Sequence, residues 1–348
     1  MRAVHVVVPD GIDDPDRPSG GNAYDRRVCD GLVAAGWDVL EHPVAGAWPD
    51  PDAAARTAFA GVLADLPPGA VVLVDGLVAS AAPEVLAPET GWLRVVVLLH
   101  MPLGERTPAA RDGERAVLAA AAAVITTSDW CRSWLLDHYG LDPVSVHVAH
   151  PGADPADAAT GTPAGSELLC VAAVRPDKGH DVLLDALATL TDLTWTCRCV
   201  GPADPERLAR LVRQADDDGI GGRVRFTGPR TGDRLAATYA SADAMVLATR
   251  AESYGMVVVE ALARGLPVLA TSAGGLPEAL GRLPDGRVPG VLVPPDDAGA
   301  LAVELRRWLT DDRHRAALRD AAALRRESLA GWQVTTDRVG HVLEEVAS

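Results

Sequence analysis

Residues 251–280 read AESYGMVVVEALARGLPVLATSAGGLPEAL, and the order of residue types in this stretch decides the fold. Two glutamates, Glu252 and Glu260, stand eight positions apart. Gly255 lies between them and a short helical pattern follows. Gly265 ends that pattern as a C′ residue. A Pro-led apolar strand over 266–270 then runs into the loop Gly274-Gly275-Leu276-Pro277-Glu278. This is the order in which a doubly wound domain builds a nucleotide pocket at the carboxyl ends of its strands. Ser253 is placed to cap the helix. Gly255 lets backbone come close to a ligand. The amides of Gly255, Met256 and Val257 become the unpaired donors of a helix start, which suits a diphosphate. A carboxylate at Glu260 would repel a phosphate, but it can accept two hydrogen bonds from a ribose cis-diol. Glu252, at the mouth, can do the same for sugar hydroxyls. A bare pair of glutamates at this spacing reads as solvated charge on an ordinary helix. With Gly255 and the Gly-Gly loop in register, it reads as a site.

The segment resembles the signature of glycosyltransferase family 4, and the resemblance covers nearly the whole chain. It implies an α/β GT-B fold: two Rossmann-like, doubly wound domains facing a central cleft. It further implies that Glu260 binds the donor ribose and Glu252 the donor sugar, and that transfer retains the anomeric configuration. No residue stands out as a nucleophile. The expectation is a front-face displacement in which the leaving diphosphate helps deprotonate the acceptor.

The chain carries 31 arginines and one lysine, Lys178. That lysine sits in LLCVAAVRPDKGHDVLLDAL, after an apolar strand over 168–174 and before an amphipathic helix over 180–190. A strand–loop–helix crossing is the usual phosphate position of a Rossmann half, and Lys offers a compact, mobile charge there. A solvated loop lysine is the plain alternative. The resemblance implies an Arg and a Lys holding the donor diphosphate, with Arg175 and Lys178 as candidates. Arg175 stands closer to the Lys than the family pattern has it, because Ala173 occupies the position five before Lys178. The loop Phe226-Thr227-Gly228-Pro229-Arg230 follows a strand, and the resemblance makes Gly228 and Arg230 candidates for contact with the donor base.

In the first half, Gly20 and Gly21 of PSGGNAYDRR precede a helix over 23–35. Taken locally, an ordinary turn capped by Asn22 and a close approach to a ligand are equally good readings. The resemblance favours the donor phosphate. Asn22 and Tyr24, with Asp13, Asp14 and Asp16, are candidates for a polyhydroxylated acceptor, although solvated charge suits the aspartates better. His100 ends the strand RVVVLLH, where a polar residue faces the ligand side of a doubly wound sheet. It matches a family histidine that approaches the donor sugar. Arg94, Arg106, Arg111 and Arg115 read as solvated, and His150 and Ser128 as structural.

Strands are expected at 4–8, 38–41, 71–75, 94–100, 123–127 and 145–148, then at 168–174, 194–200, 224–227, 244–248 and 267–270. Alternation with helices predicts parallel sheets. The division is residues 1–157 and 158–330, with a linker running to Ser166; the resemblance makes the first the acceptor-binding domain and the second the donor-binding domain. The tail over about 331–348 reads as an amphipathic helix, and the resemblance implies that it crosses back onto the first domain.

At 348 residues and 48% apolar composition the chain can bury two cores. Its net charge of -16 argues against nucleic acid and against anionic membrane surfaces. No apolar run is long enough to span a bilayer. Five cysteines without metal spacing read as core or surface thiols of a cytoplasmic protein. Asp216-Asp217-Asp218 reads as solvated charge, so no metal and no cofactor are expected. The partners are a nucleotide-diphosphate sugar and a small acceptor, with room for a homodimer. The resemblance implies a donor that is a hexose or N-acetylhexosamine on UDP by preference, with GDP second. The rival readings are a nucleotide-sugar epimerase, a phosphorylase and a non-catalytic sugar-nucleotide-binding protein.

Overall fold

The structure is a computed structural model that describes residues 2–14 and 19–348; Asp16 lies outside them. Among the described residues, twelve strands form two six-stranded sheets. They are β1 (Arg2–Pro9), β2 (Trp37–Val44), β3 (Val71–Asp75), β4 (Arg94–Leu99), β5 (Ala123–Thr126), β6 (Val146–Val148), β7 (Glu167–Val171), β8 (Thr196–Val200), β9 (Val224–Phe226), β10 (Ala244–Leu247), β11 (Val268–Thr271) and β12 (Gly290–Val293). Every pairing between them is parallel. The fold is GT-B, built from βα repeats whose strands are buried on both faces and so read as unbroken runs of Val, Leu and Ile. β3 and β10 show this fully, with every residue buried.

The first compact unit holds residues 2–14, 19–152 and 331–348. Its strand order is β2-β1-β3-β4-β5-β6. The order reverses between β1 and β3, which makes the carboxyl ends of those two strands the place where a crevice opens. Helix Trp332–Ala347 packs on helix Gly20–Ala34. The approach is close: a Cβ on Gly31 would fall 2.1 Å from Thr336 Oγ1. Arg94 also donates to the Val346 carbonyl at 2.9 Å.

The second unit spans residues 153–330, with strand order β12-β11-β10-β7-β8-β9. Its reversal lies between β7 and β10. β12 is absent from the sequence reading because GVLV is short, opens on Gly and is followed by two prolines. The stretch 155–166, read as a linker, is strapped to this unit. The Ala153 amide donates to Ala330 O at 2.8 Å and the Ala159 amide to Arg264 O at 2.9 Å. Buried Asp243 accepts from the Thr162 amide, from the Thr162 hydroxyl at 2.6 Å and from the Glu167 amide at 2.9 Å. A carboxylate so placed satisfies backbone that would otherwise need water. The first boundary of the unit therefore falls at 152/153 rather than at 157.

Among the described residues no helix is long and apolar enough to cross a membrane. Cys29, Cys131, Cys170, Cys197 and Cys199 are all free and buried.

Candidate active site

In the second unit, Lys178 closes the turn Pro176–Lys178 after β7, and Glu252 lies in the loop after β10. These are the two strands at the reversal of order. Lys178 Nζ donates to Glu252 Oε2 at 2.7 Å, with side chains 15% and 17% exposed. The two loops are stitched to each other. The Arg250 amide and the Thr249 hydroxyl donate to the Asp177 carbonyl at 2.7 and 2.9 Å. The Arg250 guanidinium forks onto the Asp181 carboxylate at 2.9 and 3.0 Å. A third loop presses from below: the Gly275 amide donates to Glu252 O at 3.0 Å. A Cβ on Gly274 would lie 1.8 Å from that carbonyl oxygen, and one on Gly275 would lie 2.3 Å from Ser253 O. The Gly-Gly pair thus lets backbone pack on backbone beneath Glu252.

Ser253 does not cap the following helix. Helix Met256–Leu262 starts at Gly255, whose φ of 99° a side-chain-bearing residue rarely adopts. The chain turns into the helix through this left-handed residue, which leaves Ser253 too early to cap. Gly265 does end the helix as expected: its amide reaches Leu262 O and the Leu266 amide reaches Ala261 O, the paired bonds of a Schellman motif. Glu260, half-buried on this helix, accepts from Tyr239 Oη at 2.7 Å. The Arg264 guanidinium sits 4.5 Å over the Tyr239 ring. Burial pushes the Glu260 carboxyl up from its ordinary range, while the Tyr239 hydroxyl and Arg264 oppose that shift.

Arg175 is half-exposed and forks onto Asp177 at 2.7 and 3.0 Å. Its closer spacing to Lys178 turns it into an ion pair within its own loop, although the Glu252 charge also acts on it. Gly228 and Arg230 lie beyond β9. The Gly228 carbonyl accepts from the Gly201 amide at 3.1 Å, and Arg230 donates to Thr238 Oγ1 at 2.7 Å.

In the first unit, His100 follows β4, Asp75 ends β3 and Asp25 lies on helix Gly20–Ala34. His100 Nε2 is 2.7 Å from Asp25 Oδ1 and 3.5 Å from Asp75 Oδ2. Asp75 Oδ1 also accepts from the Leu77 and Val78 amides at 2.9 and 3.1 Å. Gly20 and Gly21 form the first turn of their helix, not a loop before it. The cap is Ser19, which accepts from the Asn22 amide at 3.0 Å. Gly21 makes room for the histidine, since a Cβ there would lie 3.2 Å from His100 Cδ2. The Asn22 side chain donates to Gly11 O at 3.3 Å. Tyr24 is fully buried: its hydroxyl donates to Ala149 O at 2.8 Å and its ring meets His100 and Trp332 edge-on. As placed, Tyr24 supports His100 from below and offers no surface to an acceptor.

Sequence reasoning missed Asp25, Asp75, Tyr239 and Glu114. Asp75 was findable, because it ends a strand as His100 follows one. Asp25 and Tyr239 carry no local signal, since each is defined by a partner far along the chain. Glu114, fully buried, accepts from the Leu103 and Gly104 amides at 2.7 and 2.8 Å and from Tyr139 Oη at 2.5 Å. It thereby fixes the turn that follows His100.

A family profile described as glycosyl transferases group 1 matches residues 162–325, and one described as glycosyltransferase family 4 matches residues 74–157. The chain is 37% identical over 259 residues to D-inositol 3-phosphate glycosyltransferase 1 of Catenulispora acidiphila, covering 68% of this chain and 60% of that one. It is 36% identical over 255 residues to the D-inositol 3-phosphate glycosyltransferase of Kineococcus radiotolerans, covering 65% and 57%. The matches thus span about three-fifths of the length of these curated relatives. Among solved structures it resembles a sucrose-phosphate synthase from Thermosynechococcus elongatus, with a TM-score of 0.82, 21% identity and 99% of both chains covered. It also resembles Anabaena HepE in complex with UDP-glucose, with a TM-score of 0.79, 17% identity and 99% and 100% covered. The chain belongs to glycosyltransferase family 4.

Proposed function

We propose that the protein is a retaining glycosyltransferase. It moves a hexose or N-acetylhexosamine from a nucleotide-diphosphate sugar to the hydroxyl of a small polar acceptor, without a metal ion. One observation carries the reading: the Lys178–Glu252 pair stands at the strand-order reversal of the second sheet, with Glu260 on the short helix Met256–Leu262 that follows the Glu252 loop. Lys178 meets the diphosphate and stabilises the charge that develops on it as the glycosidic bond breaks. The amides of Gly255, Met256 and Val257 add to that stabilisation. Glu252 takes hydroxyls of the transferred sugar, and Glu260 takes the ribose diol. Arg175 contributes only when it leaves Asp177. Gly228 and Arg230 border the base, and His100 meets the sugar. The leaving diphosphate, not a side chain, receives the acceptor proton.

UDP is the favoured carrier, and the neighbour solved with UDP-glucose supports that choice. The names of the curated relatives support a cyclitol-like acceptor.

The test is calorimetry with UDP, GDP, ADP and TDP and their sugars, on wild type and Glu260→Ala, followed by assay of nucleoside diphosphate release with and without acceptors. One base bound tightly, weakened by the substitution, and release only with acceptor present are the expected results. Release without acceptor points to an epimerase or a hydrolytic side reaction. Binding without turnover on any acceptor points to a non-catalytic binder. No binding at all sinks the proposal.

A further inference from the structure

We propose that Asp25 and Asp75 hold His100 as an imidazolium, so that the first unit offers its ligand a fixed, charged N–H donor and not a base. The proposal deepens the reading above by assigning the chemistry of His100; that His100 meets a ligand rests on that reading, whereas its charge state does not.

The geometry is specific. Nε2 lies within hydrogen-bond distance of Asp25 Oδ1, at 2.7 Å, and faces Asp75 Oδ2 at 3.5 Å. A ring nitrogen aimed at two carboxylates carries a proton. The side chains of Asp25 and Asp75 are 3% and 5% exposed, and that of His100 is 19% exposed. Two acids buried side by side are costly unless a cation stands between them. Asp75 is further committed by the two backbone amides that its Oδ1 accepts. The His100 ring is the group that meets both acids.

The ring has little freedom to leave. Tyr24 meets it edge-on at 5.2 Å between centroids, and Gly21 closes on Cδ2. The titratable groups facing it are Asp25 and Tyr24 from helix Gly20–Ala34 and Asp75 from β3. Burial holds the Tyr24 phenol well above its ordinary range, so it stays neutral, with Asp25 adding to that shift and Arg338 opposing it. The Thr127 hydroxyl donates to the His100 carbonyl at 3.4 Å. Burial pulls the imidazole down, but the Asp25 charge and hydrogen bond, with Asp75 behind them, carry it up to about 9.

The consequence is chemical. With Nε2 spent on Asp25, Nδ1–H is the atom left to meet a ligand oxygen. A ring already protonated at both nitrogens cannot take the acceptor proton. Asp25 and Asp75 act as positioning residues through His100.

The test is NMR on the full chain with isotope-labelled histidine, titrated from about pH 5 to pH 10. The chain has nine histidines, so the His100 resonances are assigned by their loss in His100→Gln. The expected result is a doubly protonated ring through neutral pH that titrates near pH 9. In Asp25→Asn the titration should fall by at least about one pH unit. A wild-type His100 that is neutral at pH 7.5 overturns the proposal, and that reading needs no variant to fold. A folded Asp25→Asn with an unmoved titration overturns it as well. No nucleotide takes part, so failure here is distinct from failure of the glycosyltransferase reading.

Discussion

Lys178 and Glu252, 74 residues apart in sequence, meet in a 2.7 Å ion pair at the strand-order reversal of the second sheet. Without a donor each compensates the charge of the other. On the proposed function, a donor's diphosphate takes the lysine and its sugar takes the glutamate. The two substitutions should therefore separate. Lys178→Ala should lower turnover by about 100-fold or more, through loss of leaving-group stabilisation. Glu252→Gln should lower turnover too, yet bind free nucleoside diphosphate at least as tightly as wild type, because a competitor for Lys178 is gone. Calorimetry with the diphosphate and with its sugar decides the matter. A diphosphate affinity that falls as steeply in Glu252→Gln as in Lys178→Ala rules out this exchange of partners.

The first unit carries its own pH signature. Burial and the Asp25 charge push the Asp75 carboxyl up to about 7 from 3.8, although His100 and the Val78 amide oppose them. His100 is raised from 6.5 to about 9. Each group binds its proton more tightly folded than unfolded, so stability falls as pH rises through each window. Asp75 acts between about pH 4 and 7, and His100 between about pH 6.5 and 9. The His100 contribution is present in full below pH 6.5 and is lost by pH 9, at most about 3 kcal/mol. Urea unfolding at a series of pH values should show this decline, and His100→Gln should flatten it above pH 6.5. A stability that rises over that window contradicts the arrangement.

Much of this was legible because parallel sheets write themselves as apolar runs, and eleven of the strands were expected near where they lie. β12 was not, because a four-residue strand beside Gly and Pro has no periodicity to read. Lys178 and Glu252 were legible as candidates because they lie in loops at strand ends, where function concentrates, and Glu260 because it lies on the helix that the Glu252 loop leads into. Their partners were less so. Tyr239 reaches Glu260 from another helix, and Asp25 reaches His100 across 75 residues. Such contacts depend on topology and leave no trace in a window of sequence. The helix starts misled for a local reason: Ser19 and Gly255 each open a helix where a neighbouring polar residue was an equally good cap.

Tyr239 gives a graded test of Glu260. The hydroxyl holds one carboxylate oxygen at 2.7 Å, and the proposed function gives the other to a ribose. Glu260→Gln should weaken nucleotide binding by about 1.5–3 kcal/mol, the range for hydrogen bonds to a charged group. Tyr239→Phe should cost about 1 kcal/mol, since it loosens the carboxylate without removing it. Both should leave the melting temperature within a few degrees of wild type. Calorimetry with the preferred nucleoside diphosphate measures the ratio. Equal losses from the two variants would mean that Glu260 itself never touches the nucleotide.

Gly274 is the residue on which the mouth of the site rests, and its substitution should reach Glu252 without touching a ligand. A methyl group there would sit 1.8 Å from the Glu252 carbonyl oxygen, with the Glu252 amide nitrogen 3.4 Å away on the same backbone. Neither loop can yield cheaply. The Gly275 amide is bonded to that same carbonyl, and the β10 loop is pinned to Asp177 through Thr249 and Arg250. Gly274→Ala should thus destabilise the second unit by more than about 1 kcal/mol, displace Glu252 from Lys178, and lower turnover at saturating donor. Diphosphate affinity should change less, because Lys178 is held from the β7 side. A Gly274→Ala protein with wild-type turnover and wild-type stability would show that the backbone contact under Glu252 is not what positions it.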